Sequence, residues 1–176
     1  MTHHSITRLR TRFGFTVLEL LLYVTISSSV LLMSVMFMGA LLEARVKNEV
    51  MAEVEQQGLS AMQTVTASLR NASGVTTPSA GSSGSVLTLA TYAPLTNPTV
   101  FDVLGGTLRI KEGATSTVPL TNPLVVVSGF EVSNITAPGT PGSARVVFTL
   151  TYSSPSQKGA YTYAKTFTGT GTLRQP

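Results

Sequence analysis

Few side chains in this sequence could do chemistry, and their placement says which chemistry to expect. Catalysis needs groups that titrate or attack and that a fold can bring together. Beyond residue 72 the only acids are Asp102, Glu112 and Glu131, each in a different segment. Converging on calcium is the one metal arrangement they would allow, and their separation argues against it. Cysteine is absent, which removes disulfides, thiolate nucleophiles and Cys-ligated metals. Both histidines, His3 and His4, fall in the first fourteen residues beside basic side chains, a poor setting for a metal site. Gly105-Gly106 precedes Thr107 without the Lys-Ser/Thr of a phosphate loop, so it reads as a hairpin turn. No cofactor is expected, and the chain is not expected to be an enzyme.

One carboxylate stands apart. Glu19 heads an apolar run, residues 20–42, that contains no charge and no proline. About 20 apolar residues suffice for a membrane-spanning helix. A carboxylate in such a helix costs on the order of 2.5–3.5 kcal/mol at the centre and less near an edge. Glu19 therefore has a function or snorkels to the headgroups, and its place near the helix start permits either. Arg8, Arg10 and Arg12 lie upstream of the run and Arg45 and Lys47 downstream, a margin that favours the N-terminus inside. A secretory signal would have a shorter apolar core followed by a small-residue cleavage site. None follows here, so the segment is expected to be retained.

The residues around the head of that run, Arg12-Phe13-Gly14-Phe15-Thr16-Val17-Leu18-Glu19-Leu20-Leu21, resemble the class III signal of type IV pilins and type II secretion pseudopilins. The resemblance implies that a prepilin peptidase cuts between Gly14 and Phe15 and methylates the new terminus at Phe15. It implies that Glu19, the fifth mature residue, pairs with the terminal amine of a neighbouring subunit during assembly. The implied partners are other pilin-like subunits, the peptidase, an inner-membrane assembly platform and, before assembly, membrane lipid. The implied location is the inner membrane, crossed once, and then a periplasmic or cell-surface filament. Many major pilins carry a proline midway along this helix. Its absence here leans toward a minor subunit.

The elements that must position these residues follow from periodicity. Val46, Val50, Val54, Gly58, Ala61, Met62, Val65, Leu69 and Ala72 recur at three- and four-residue steps and draw one apolar stripe. A single helix over residues 15–72 would run roughly 87 Å at 1.5 Å per residue. Its first half, with small residues at Ser27, Ser28, Ser29, Ser34, Gly39 and Ala40, suits lipid or a helix bundle. Its second half suits a sheet. After residue 72 the composition turns to Ser, Thr, Gly, Pro and Val, with a loop at 78–85. Strand-like alternation follows at 86–92, 107–111, 123–127, 130–135, 144–152 and 161–168. The expected fold is α+β, a long N-terminal helix packed on an antiparallel sheet. Four segments result: a basic leader (1–14), a membrane or filament-core helix (15–42), an amphipathic helix (43–72) and a β-rich head (73–176).

The head resembles, more loosely, minor pilins and pseudopilins of the PilW and GspJ type. The features are Ser68-Leu69-Arg70-Asn71-Ala72, a Leu-Thr-Leu strand, a late Val-Ser-Gly-Phe-Glu-Val segment and a close near Leu173-Arg174. Hydrophobic residues make up 43% of the 176 and charged residues 11%, which agrees with one concentrated apolar segment. The net charge of +4 gives little reason to invoke nucleic acid, because nine Lys/Arg face eight Asp/Glu from Phe15 onward. A structural filament subunit is the leading reading. A tip subunit that adheres to a surface or to DNA, with Tyr92, Tyr152, Tyr161 and Tyr163 as candidates, and a major pilin are the alternatives. Asn71-Ala72-Ser73 and Asn134-Ile135-Thr136 match glycosylation sequons, as a Ser/Thr-rich chain does by chance.

Overall fold

The computed structural model describes residues 14–152 and 162–174. Residues 1–13 of the expected 1–14 leader, with His3 and His4, lie outside them, as does Tyr161. The described chain is a long helix followed by antiparallel strands, an α+β fold. It divides into two compact units, Met1–Ala44 and Arg45–Pro176.

Helix α1 runs Val17–Asn71. Through residue 49 every described side chain is exposed. From there Val50, Val54, Gly58, Ala61, Val65 and Leu69 are buried at steps of three or four, the stripe expected from sequence. Val46 was expected to begin that stripe, but it is 37% exposed, so burial starts one turn later. The helix ends at Asn71 and the chain passes directly into β1, Ala72–Thr77.

Two sheets follow. One has the order β1-β3-β4-β5-β6 and the other β2-β7-β8-β9, with all pairings antiparallel. In the first, β3 is Leu87–Thr91, β4 Thr99–Leu104, β5 Thr107–Glu112 and β6 Val118–Pro119. Gly105 and Gly106 join β4 to β5 with φ of 60° and 77°, the left-handed pair that a two-residue hairpin needs. In the second, β2 is Ser83–Gly84, β7 Val125–Asn134, β8 Ser143–Tyr152 and β9 Ala164–Thr172.

The strand expectations hold in part. The segments at 86–92, 107–111 and 144–152 are strands within a residue at each end. The two expected strands at 123–127 and 130–135 are one strand, β7. A bulge between Ser128 and Glu131 carries it past Gly129. Strand β9 extends four residues beyond its expected end at 168, and β1, β2, β4 and β6 were not expected from sequence.

The core lies between the stripe and the inner faces of both sheets. Leu87, Leu89, Phe101, Leu108, Phe148 and Leu150 are fully buried there. Each contributes about 1.5–3 kcal/mol relative to exposure. Phe130, Phe148 and Phe167 form an aromatic row across β7, β8 and β9, with centroids 6.4 and 5.7 Å apart. Strand β9 runs under the helix in register with it. β-Carbons at Gly169 and Gly171 would meet Met62 and Leu69, about two helical turns apart.

Candidate functional site

The residues with an expected role in processing and assembly lie where the chain enters α1. Gly14, Phe15 and Thr16 precede the helix, and all three are exposed. The Thr16 hydroxyl accepts a hydrogen bond from the Glu19 amide at 3.3 Å, and the Thr16 carbonyl accepts from the Leu20 amide at 3.2 Å. Thr16 is thus the N-cap, and the helix begins two residues later than the residue-15 start expected from sequence. Thr16-Val17-Leu18-Glu19 has the spacing of a capping box, a signal legible in the sequence. Glu19 stands in the first helical turn, where a carboxylate opposes the positive end of the helix dipole. Among the described residues it forms no ion pair.

The geometry makes the Gly14-Phe15 peptide accessible. Phe15 is 73% exposed, and its ring pairs with Tyr23 in a tilted aromatic contact with centroids 6.2 Å apart. Glu19 is exposed as well. Further along, the hydroxyls of Ser28, Ser29 and Ser34 donate to the carbonyls of Val24, Thr25 and Val30, four residues back. Thr25 does the same to Leu21 and Leu22. These four side chains bring no unmet donor into an apolar setting. The helix is long and apolar enough to span a membrane, and the qualifying window is wholly unburied.

No family model, curated protein or solved structure matches this chain.

The other candidate residues are dispersed. Asp102 takes a two-pronged hydrogen bond from Arg109 across the β4–β5 pair, at 3.0 and 2.5 Å. Glu112 lies at the end of β5 and Glu131 on the outer face of β7. No three His, Cys, Asp or Glu side chains among the described residues are grouped to hold a metal ion. Tyr92 is exposed, whereas Tyr152 and Tyr163 are half-buried against the core. Asn134 is buried, its amide donating to the Pro78 carbonyl at 2.8 Å and its oxygen accepting from Thr136, so that sequon is locked inside the fold. Asn71 is exposed.

Two polar ties between the helix and the head were not foreseen. The Asn122 amide donates to Glu53 at 2.5 Å, and the Lys165 ammonium donates to Glu55 at 2.6 Å. The Glu55 hydrogen bond holds the Lys165 ammonium above its usual 10.5, outweighing the opposing effect of desolvation. Glu53 and Glu55 flank the buried stripe residue Val54 on the helix. Partners 69 and 110 residues away leave no local trace.

Proposed function

We propose that this protein is a structural, minor subunit of a type IV pilus or a type II secretion or competence pseudopilus. It enters the inner membrane through residues 20–42 with its N-terminus inside. A prepilin peptidase then cuts between Gly14 and Phe15 and methylates Phe15, and the subunit joins a filament through α1. Its role is assembly rather than catalysis.

The observation that carries the reading is the register of Gly14, Phe15 and Glu19 at the entry to an exposed, uncharged apolar helix. An exposed face of this kind is stable only in lipid or against other helices. Glu19 supports the same reading. Removing the peptide before Phe15 creates an amine, and a carboxylate four residues on supplies its charge partner on a neighbouring subunit. Such a pair adds little net stability, but a subunit in the wrong register would bury an unpaired charge. Cleavage would thereby switch on the axial register.

Mass spectrometry of protein recovered from sheared filaments tests this. The expected mature chain begins at Phe15 with one added methyl group, and Gly14→Val blocks its formation. A chain still beginning at Met1 in the filaments would overturn the reading.

A further inference from the structure

The head contains a cleft of about 520 Å³ between the end of α1 and the β3, β4 and β5 strands, which the proposed assembly role does not use. Thr64, Ser68 and Asn71 line it from the helix, Tyr92 from the segment just after β3, Thr99 from β4 and Glu112 from the end of β5. Thr99 and Glu112 are cross-strand partners, so the carboxylate sits on a fixed register rather than on a loop.

The hydrogen bonding of this wall is lopsided. A hydroxyl has one proton and two lone pairs. The Thr64 hydroxyl gives its proton to the Ser60 carbonyl at 3.0 Å and Thr99 to the Thr96 carbonyl at 2.8 Å, while the Thr96 proton goes to the Ala93 carbonyl at 3.2 Å or to the Thr91 hydroxyl at 3.1 Å. Those oxygens can then only accept. Glu112, when ionised, also only accepts, and among the described residues it forms no ion pair. The cleft lies beside the last turn of α1, the negative end of the helix dipole. Arg70, the basic residue of that turn, does not line the cleft, and no lysine or arginine does so among the described residues. Tyr92, 61% exposed, offers a ring face that also attracts cations. An acceptor-rich, cation-free cleft matches a compact cation with several donors.

We propose that this cleft binds a primary ammonium group, specifically a lysine side chain presented by a partner protein. An ammonium carries three donors and no acceptor, the complement of this wall. Asn71 and Ser68 retain donors that suit the carbonyls flanking a lysine in a peptide, which a free amine would leave unused.

The test is a titration of the full chain, 15N-labelled in a nonionic detergent, with Nα-acetyl-lysine amide, following backbone amide shifts. Saturable shifts are expected at the non-proline residues of 91–99 and at 112. The Nε-acetylated compound, which lacks the charge, should bind at least about tenfold more weakly. Glu112→Gln should cause a similar loss, and because Glu112 is exposed this change leaves the fold intact. Butylamine, a single ammonium on a four-carbon stem without peptide groups, should bind more weakly than the lysine compound. Absence of saturable shifts, equal binding of the acetylated compound, or indifference to Glu112→Gln would each overturn the site. Tighter binding of butylamine would overturn the lysine assignment.

Discussion

Gly58 on the helix lies against the ring of Phe167 in β9 so closely that no β-carbon fits between them. The tip of the ring faces the glycine, and the ring has little room to give way because it stacks on Phe148 with centroids 5.7 Å apart. This contact sets how near the helix comes to the sheet. Gly169 and Gly171 extend the close approach along β9 beneath Met62 and Leu69.

Gly58→Ala is therefore expected to destabilise the head. In an exposed helix interior the same change gains about 1 kcal/mol. Here overpacking costs about 1–3 kcal/mol, because a well-packed core absorbs an added methyl poorly. Urea unfolding of residues 45–176 would show a lower midpoint for Gly58→Ala, with much of the loss recovered by adding Phe167→Leu. A raised midpoint for the single variant would mean that helix propensity dominates and the contact sets nothing.

Residues 45–176 should fold without the apolar segment, since the stripe from Val50 to Leu69 is buried within that unit. Leu69 is fully buried, over Gly171. Leu69→Ala is expected to cost about 2–5 kcal/mol, and Leu69→Asp should leave the unit unfolded by burying an unpaired charge. Circular dichroism of the two variants checks this directly. A cooperative transition in Leu69→Asp at the unaltered midpoint would show that the stripe does not hold the head together.

How much of this was legible in the sequence depends on whether the cause was local. The helix stripe and the β4–β5 turn are written in neighbouring residues; the turn lies where the sequence puts it, and the stripe does from Val50 onward, Val46 excepted. Strand β4 was also within reach. Thr99, Phe101 and Val103 alternate inward, and a hairpin turn at Gly105-Gly106 requires an arm on each side. The end of β9 was missed for a different reason. Glycine weakens a strand by propensity, yet at 169 and 171 it is what lets the helix approach, a tertiary cause with no local sign. The Thr16 cap was overlooked although the Thr-x-x-Glu spacing announces it. The ammonium cleft gathers residues from positions 64 to 112 and depends on which hydroxyls have given up their protons to backbone, which no periodicity encodes.

Glu19 holds the N3 position after the Thr16 cap and, in the proposed function, the assembly charge, and substitutions can tell these apart. At N3, Gln would replace it with little loss, because either side chain suits a capping box. As the proposed charge partner of a neighbour's Phe15 amine, Gln would not replace it, because Gln carries no charge. Glu19→Ala and Glu19→Gln should both insert into the membrane, since losing a carboxylate eases partitioning. Both should be cleaved, since Gly14 and Phe15 are unchanged. Incorporation, measured as sheared-filament protein over total, should nevertheless fall at least about tenfold in both, because leaving a buried charge unpaired costs about 3–5 kcal/mol. Thr16→Val tests the other role. It removes the hydroxyl that caps the Glu19 amide while keeping the charge, so it should fray the first turn yet incorporate better than Glu19→Gln. The reverse order, with Glu19→Gln incorporating normally and Thr16→Val failing, would assign Glu19 to the helix cap and remove the intersubunit pair from the mechanism.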